Sequence, residues 1–370
     1  MAHALFGIRI KALREERKLS QDDLAKLFGF KDRQTISAIE TGERRLSAEE
    51  LMKAVEVLGA PLDYFTDPFR LVGNEGRFNW RQSGVQAAVL AGYERNAGRW
   101  IATFRELAPK AGHKMPLLRH SLSLTTTSRL EDAMAAGDDF AAAFELGDVP
   151  ARRLADAMER RFGILVLMVD SIKGISGAAC RLPELDAVLI NRHEPRGRRH
   201  FDLAHELFHI LTWEAMPPAH VEDANEITGK TRVEQLANAF ASAVLMPKGV
   251  IDRFGAWDGL DADAMTGRLN EVADALDVTA VALKWRLVAL GLVNRTTARG
   301  IPDAALRNNG RNGAEPEAPP PFSRLFAEVI ACAVEDGHLS ARRAAGVLGV
   351  TLDDLVAVCA AHGVDTDMDL

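Results

Sequence analysis

Apolar positions recur at helical spacing along the first 70 residues of the chain. The periodic stretch at residues 5–17 is followed by Ser20, which has the character of an N-cap, and the next stretch ends at Gly29. Ser47 has the same character and begins a later helix. N-cap serines and a glycine after the last helical residue are usual limits of short helices. The pattern therefore predicts a compact helical unit over residues 1–70.

The pattern changes after residue 147, where extended segments precede long helical stretches. Three short apolar runs rich in β-forming residues predict strands of a small sheet, at 164–168, 176–180 and 187–190. Two longer runs without glycine or proline predict helices, at 201–211 and 234–246. Residues 148–300 are therefore predicted to form one α+β domain.

The remaining regions are less distinctive. Residues 71–147 contain helical stretches and an alternating segment at 118–124 that predicts a strand. We interpret this region as a spacer or a dimerisation element, so a homodimer is one candidate assembly. Asparagine, glycine and proline make residues 301–321 a predicted flexible linker, and residues 322–370 are predicted to form a helical C-terminal region. The predicted fold class is α+β and mainly helical.

Composition narrows the class of protein. The chain has 370 residues, 47% of them hydrophobic, and a net charge of −7, which argues against a basic coat over the whole surface. Cys180, Cys332 and Cys359 form no C-x-x-C pair, so neither a disulfide framework nor a thiolate zinc site is indicated. The N-terminus lacks the apolar core of a signal peptide, and no apolar stretch is long enough to span a bilayer. These features predict a soluble cytoplasmic protein without a membrane partner.

The sequence His205-Glu206-Leu207-Phe208-His209 lies within a predicted helix and carries the first candidate chemistry. Residues i and i+4 share a helix face, so both imidazoles can reach one metal ion. Glu206 projects one step round the helix, where its carboxylate can act on a water at the metal. A catalytic zinc usually has a third protein ligand, and Glu234 on the next predicted helix is the leading candidate.

The motif leaves open which carboxylate is the third ligand and whether the histidines bind a metal at all. Glu222 and Glu226 compete with Glu234 for the third position, and two helical histidines can be buried and hydrogen-bonded without any metal. His193, His200 and His220 could ligate a metal or stabilise an oxyanion, but we interpret them as structural. The helix, the later carboxylate and the preceding strands together favour a zinc site.

Residues 198–209 and 234–247 resemble the ImmA/IrrE family of metallopeptidases. In that family an R-x-F-x-x-A-H-E-x-x-H helix is followed by E-x-x-A-N-x-F-A-x-x-L-L-M-P. The resemblance implies a zincin-like fold and Glu206 as general base, with Zn²⁺ as the cofactor. It implies the zinc ligands His205, His209 and Glu234. It also implies an edge strand over the metal that can pair with an extended substrate. Phe208 is a departure, because the family often has glycine there.

Residues 1–70 resemble the Xre/Cro-type repressor domain, notably at Leu19-Ser20-Gln21, Leu24-Ala25, Ile36-Ser37 and Ile39-Glu40. In such domains the N-terminal side chains of the third helix enter the major groove. The resemblance implies that base edges are read by Arg33, Gln34, Thr35 and Ser37, with Gln21 near a phosphate. The partner would be double-stranded operator DNA. The alternative interpretation is a helical bundle that binds protein.

Together, the two resemblances imply a DNA-binding transcriptional regulator with zinc endopeptidase activity, whose substrate is a repressor-type regulatory protein. One alternative is a non-proteolytic transcription factor whose zinc domain senses a ligand or partner. Another is an antitoxin-like regulator that neutralises its partner by contact. The presence of Glu206 favours the enzyme, because a sensing site needs no general base.

Overall fold

The computed structural model describes residues 2–73, 75–113, 119–223, 231–311 and 317–366. Its N-terminal unit contains the helices α1 (Ala2–Glu16), α2 (Gln21–Phe28), α3 (Arg33–Glu40), α4 (Ala48–Leu58) and α5 (Leu62–Thr66). The side chains of Ser20 and Ser47 accept hydrogen bonds from the backbone three residues on, which confirms both predicted N-caps. Gly29 ends α2 with a φ of 75°, a left-handed conformation that glycine adopts at little cost.

A network of buried charges joins this unit to the rest of the chain. Arg9 is fully buried and donates to three backbone carbonyls within residues 64–70. Its Nε lies 3.2 Å from Oε1 of Glu75, whose other oxygen lies 3.1 Å from Nη1 of Arg105. Arg105 lies on the long helix that follows the N-terminal unit. Because removing one partner of a buried ion pair is costly, the network stabilises the contact between that helix and the N-terminal unit.

Further helices follow along the chain. They are α6 (Ala87–Leu107), α7 (Leu130–Ala143), α8 (Pro150–Phe162), α9 (Arg196–Thr212), α10 (Arg232–Leu245), α11 (Lys248–Asp252), α12 (Ala262–Ala275), α13 (Ala280–Ala289), α14 (Arg295–Gly300), α15 (Arg324–Glu335), α16 (Ala341–Leu348) and α17 (Leu352–Ala361). A 3-10 helix covers Asp303–Gly310. The predominance of helix confirms the predicted fold class.

A five-stranded sheet in the order β2-β4-β3-β1-β5 lies at the centre of the molecule. Its strands are β1 (Arg77–Gln82), β2 (Ile164–Val169), β3 (Ile175–Arg181), β4 (Asp186–Asn191) and β5 (Val221–Asp223). β3 is antiparallel to β1 and β4, whereas β2 pairs with β4, and β1 with β5, in parallel. The three predicted strands are confirmed as β2, β3 and β4, and β1 and β5 have no counterpart in the prediction.

Alternate residues of the sheet face two helical layers, as the two-residue period of a strand requires. Val166, Val188 and Ile190 enter a core shared with α7 to α10, α12 and α13. Leu165 and Leu189 enter a second core shared with α6 and α15 to α17. Both faces of the sheet are therefore covered.

Two predictions for the connecting regions need correction. Leu118 lies outside the described residues, and residues 119–124 form no strand; the backbone N–H of Leu122 instead donates to the carbonyl of Leu211 at 2.9 Å. The predicted linker 301–321 begins with the 3-10 helix, whose residue Leu306 is buried. In both places the partner is distant in sequence, so local composition does not reveal the packing.

Within the described ranges, no individual helix has the length and apolar character needed to cross a membrane. Taken as a pair, α16 and α17 have the length and apolar composition of a membrane span. The two helices are bent by 82° at the break between them.

Candidate metal centre

The histidine motif lies on α9, in a part of the helix that is buried on all sides. His205, Glu206 and His209 are each 0% exposed. The first turn of α9 approaches the start of α13 so closely that a Cβ on Gly197 would lie 2.5 Å from the carbonyl carbon of Val278. Close packing at its beginning therefore fixes the position of α9.

The three predicted ligands meet at one point. The Nε2 atoms of His205 and His209 are 3.1 Å apart, and each lies 3.3 Å from a different oxygen of Glu234. The three candidate ligand atoms all lie within 4.8 Å of one another. Glu234 stands in the first turn of α10, after the N-cap Thr231, so α9 and α10 together set the geometry.

The position of α10 is set by α7 behind it. A Cβ on Gly137 of α7 would lie 2.6 Å from the carbonyl oxygen of Phe240 and 2.7 Å from Cβ of Ala243. Phe208 of α9 packs on Phe240, with ring centroids 5.6 Å apart. The bulky side chain at the position where glycine was expected is thus accommodated between the two helices.

Asn238 determines which ring nitrogen of His205 is available. Its Oδ1 lies 3.0 Å from Nδ1 of His205. An amide oxygen only accepts hydrogen bonds, so Nδ1 carries the hydrogen and the lone pair is on Nε2. This lone pair faces His209 and Glu234. An outer hydrogen bond of this kind orients metal-binding histidines.

The electrostatics of the cluster favour a neutral His205 beside an ionised Glu234. Burial, followed by the charge of Arg81, lowers the pKa of His205 to about 4. Burial alone would raise the pKa of Glu234, but hydrogen bonds from His205 and His209 hold it below its ordinary value. These protonation states are the ones that metal binding requires.

The donor set fits a divalent transition metal. Ligand atoms about 2.0–2.1 Å from a tetrahedral zinc ion are about 3.3 Å apart. The separations of 3.1 Å between the histidines and 3.3 Å to the carboxylate agree with this spacing. Oε1 of Glu234 is buried, and Nε2 of His209 faces it at 3.3 Å. The residues present could therefore hold a metal ion.

Glu206 lies between the ligand cluster and the sheet. Its Cγ is 3.8 Å from the point that a Cβ on Gly177 of β3 would occupy. A side chain at this position would also come within 2.9 Å of the carbonyl oxygen of Leu189. Gly177 therefore permits the close approach of strand and helix that holds Glu206 in place.

The other histidines considered from the sequence have partners elsewhere. Nε2 of His193 lies 2.6 Å from Asp170, and Nδ1 of His200 lies 2.8 Å from the carbonyl oxygen of Asp277. Nδ1 of His220 lies 3.2 Å from the carbonyl oxygen of Phe78.

The structure does not describe the side chains of the two carboxylates that compete with Glu234. Glu222 lies in β5, opposite Arg81 of β1, but its side chain is outside the described part of the chain. Glu226 lies wholly outside the described residues.

The predicted DNA contacts lie at the start of α2 and within the first five residues of α3. Arg33 and Gln34 are exposed, and Thr35 and Ser37 are half-buried. Nε2 of Gln21 donates to Glu40 at 2.8 Å, which links the start of α2 to the end of α3. These side chains form an open surface, in contrast to the enclosed metal cluster.

Comparison with known families agrees with this division. Residues 10–65 match the family model described as helix-turn-helix, and residues 159–287 match the model described as IrrE N-terminal-like domain. The chain joins an Xre-type helix-turn-helix to an ImmA/IrrE-like domain. The second match contains all three residues of the metal cluster, so the IrrE-like domain is metallopeptidase-like. No curated protein matches the chain.

The IrrE-like domain makes close contacts with residues outside its matched range. Nη1 of Arg81 in β1 pairs with Asp202 of α9 at 2.9 Å, and both side chains are buried. Arg81 is also the register partner of Gly177 across β1 and β3, which places it near Glu206. Sequence reasoning missed this residue, although polar and apolar residues alternate at Phe78, Asn79, Trp80 and Arg81.

The expected edge strand is not β3, the strand that packs against Glu206. β4 occupies one edge of β3 and β1 occupies the other, so an extended substrate cannot add to β3 in this structure. The outer strand on that side of the sheet is β5.

Proposed function

We propose that the chain is a DNA-binding transcriptional regulator with zinc-dependent endopeptidase activity, which cleaves a repressor-type regulatory protein. The observation that carries the proposal is the convergence of His205, His209 and Glu234, with Glu206 on the same helix as the two histidines. The helix-turn-helix match supports a role in transcription. It also supports a target that the chain would meet at DNA, in the cytoplasm.

Zn²⁺ is the proposed metal, with His205, His209 and Glu234 as its protein ligands. Two imidazoles and one carboxylate are a known donor set of catalytic zinc, which keeps a further position open. When bound, zinc acts as a Lewis acid and lowers the pKa of a water from about 16 towards about 7. The hydrogen bond from His205 to Asn238 keeps Nε2 directed at the ion's position.

Glu206 is the proposed general base. Its carboxylate takes a proton from the water that attacks the peptide carbonyl carbon. It then passes this proton to the departing amine, so the C–N bond breaks and the water oxygen remains in the new carboxylate product. The complete burial of Glu206 keeps the proton away from bulk water during the transfer.

The proposed DNA surface is the first turn of α3. Arg33 and Gln34 are exposed there and have the side chains suited to guanine and adenine edges. Thr35 and Ser37 lie on the same helix, and Gln21 at the start of α2 would approach a phosphate. The proposed partner is double-stranded operator DNA.

The test uses the full-length chain and its Glu206→Gln variant, each analysed for bound zinc and incubated with candidate Xre-type repressors. We expect one zinc per chain in both proteins. We expect cleavage, followed by mass spectrometry of the products, to slow by about 10²–10⁴-fold in the variant. His193→Ala serves as the control, because His193 is exposed and bonded to Asp170 away from the cluster. Zinc in both proteins with cleavage in neither would contradict the peptidase; absence of any transition metal would contradict the metal site.

The complete burial of Glu206 favours a second candidate, a regulator whose zinc domain senses a ligand or partner without proteolysis. An antitoxin-like contact with a partner belongs to the same class. In that case Glu206→Gln would leave the transcriptional response of a reporter unchanged, whereas His205→Ala would alter it. The two variants in one reporter strain therefore separate the candidates.

A further inference from the structure

A cavity of about 1080 Å³ opens beside the metal cluster. It is bounded by the start of α9, by α10, and by the segment from α12 through the 3-10 helix. Asn238, which binds Nδ1 of His205, is part of its lining, so the cavity reaches the back of a proposed zinc ligand. Its volume exceeds that of many small-molecule pockets, which hold about 300–1,000 Å³.

The acidic residues of the lining are all paired with cations. Asp202 pairs with Arg81 at 2.9 Å, and Asp277 pairs with Arg196 at 2.9 Å. The other two pairs are Asp274 with Arg311 at 3.2 Å and Asp303 with Lys284 at 2.7 Å. The carboxylates of the cavity are therefore compensated within the protein.

Three arginines at the rim are not compensated in this way. Arg295 and Arg299 stand one turn apart on α14, and Arg307 follows on the 3-10 helix. All three are exposed, and none has an ion pair within the described part of the chain. These rim arginines lie beyond residue 287, where the match to the IrrE N-terminal-like model ends. The rim thus carries a net positive charge, which comes from residues outside the region that matches the family model.

The interior combines apolar surface with one buried cationic group. Phe201, Trp285 and Leu306 contribute apolar side chains to the lining. At the buried end, Arg81 is 6% exposed and its Nε has no hydrogen-bond partner among the described residues. A ligand that reached this end could accept a hydrogen bond from Arg81 close to Glu206. The cavity therefore suits an occupant with acidic groups outside and apolar and carbonyl groups inside.

We infer that this cavity binds an acidic, partly apolar peptide segment of the protein substrate. The inference rests on the proposed function, because it names the substrate feature that brings a chain to the metal cluster. An extended peptide can offer carboxylates to the rim arginines, apolar side chains to the interior and a backbone carbonyl to Arg81. The cavity also provides a route that does not need the paired edges of β3.

The test measures binding and not cleavage, so that it remains informative if the peptidase proposal fails. Fluorescein-labelled 12-residue peptides of glutamate, leucine and alanine are titrated with the full-length Glu206→Gln chain, and anisotropy is recorded. The matched peptide has glutamine in place of each glutamate. We expect the acidic peptide to bind about tenfold more tightly, and its affinity to fall as salt is raised.

The rim is tested by Arg295→Glu combined with Arg299→Glu. Its control is Arg95→Glu combined with Arg99→Glu, because these arginines are also exposed and four residues apart, on α6 and outside the cavity. We expect the rim variant to bind the acidic peptide about tenfold more weakly and the control to bind it as the parent does. Arg307→Gln gives a milder change, with a smaller loss expected, should the double variant fold poorly.

Three results would overturn the inference. These are equal binding of the acidic and glutamine peptides, equal losses in the rim and α6 variants, and tighter rim-dependent binding of a 12-nucleotide single-stranded DNA than of the acidic peptide. The last result would assign the rim to nucleic acid. Binding of the acidic peptide without cleavage of any repressor would support the cavity and contradict only the proposed peptidase.

Discussion

The metal cluster and α3, the proposed recognition helix, are both indicated by short sequence motifs. They differ in how far folding brings their side chains together. In the cluster, three side chains from α9 and α10 approach within 4.8 Å, and both histidines are fully buried. On α3, Arg33 and Gln34 project from an exposed turn and meet no common point. The first site is assembled by folding alone. We propose that the second is assembled only when DNA supplies the groups that these side chains bind.

This difference predicts how each site responds to substitution. A buried, convergent site depends on each of its members, because removing one leaves the others without their geometry. An open surface distributes its binding energy over separate contacts, so that a single change weakens it in part. Variants at the metal cluster should therefore leave operator binding intact, and variants on α3 should leave zinc binding intact.

The largest effect is expected for His205→Ala. Loss of one imidazole leaves two protein ligands, so the purified chain should contain no stoichiometric zinc by elemental analysis. Operator binding in a gel-shift titration should be unchanged. The parent chain stripped with a chelator provides the matching control. Loss of operator binding in the variant would show that the two regions are coupled and would break the comparison.

A smaller effect is expected at Asn238, which contacts His205 but not the metal position. Asn238→Ala removes the acceptor for Nδ1–H, and outer partners of this kind contribute about 10–100-fold to metal affinity. Competition with a zinc-binding dye measures the change. Asn238→Asp retains an acceptor and should bind zinc at least as well as the parent. An equal loss in both variants would assign the effect to packing instead.

On the recognition helix, Arg33→Ala should weaken specific operator binding by about 1–3 kcal/mol, the range expected for one bidentate base contact. A gel-shift titration at fixed salt measures it, and zinc content should not change. Arg342→Ala, an exposed arginine on α16, is the control. Operator affinity identical to that of the parent would remove Arg33 from the proposed base-reading set.

Gly7 and Gly137 extend the comparison, because each allows a helix to pack closely behind one of the two sites. A Cβ on Gly7 would lie 2.1 Å from the carbonyl oxygen of Ile39 at the end of α3, and Gly137 has a similar contact with α10. Substitution of either by alanine should lower the free energy of unfolding by about 1–3 kcal/mol. Gly7→Ala should also weaken operator binding, and Gly137→Ala should weaken zinc binding. Gly346→Ala, which meets open space on α16, should raise stability by about 0.5–1 kcal/mol.

The features that could be predicted from the sequence depend on interactions between residues that are close in the sequence. The i, i+4 spacing of His205 and His209 and the caps at Ser20 and Ser47 are local, and the structure contains them as predicted. The short strands β2 to β4 were recognisable because both their faces are apolar. Their apolar runs therefore needed no knowledge of a partner.

The parts that could not be predicted depend on contacts between distant residues. Arg81 and Asp202 pair across 121 positions in the sequence, and no local pattern connects them. The cavity likewise needs walls from α9, α10 and α14, which only the folded chain brings together. Residues 119–124 alternate like a strand, but the end of α9 provides their partner, so period alone was misleading.

The strand β1 has a consequence for any attempt to divide the molecule. A fragment that began at residue 148 would contain the whole match to the IrrE N-terminal-like model but would lack Arg77–Gln82. Such a fragment would expose the bare backbone of β3 along one side, and unprotected strand edges promote aggregation. It would also lose Trp80, which is fully buried in the second core. The smallest soluble piece that retains the histidine cluster should therefore start upstream of Arg77.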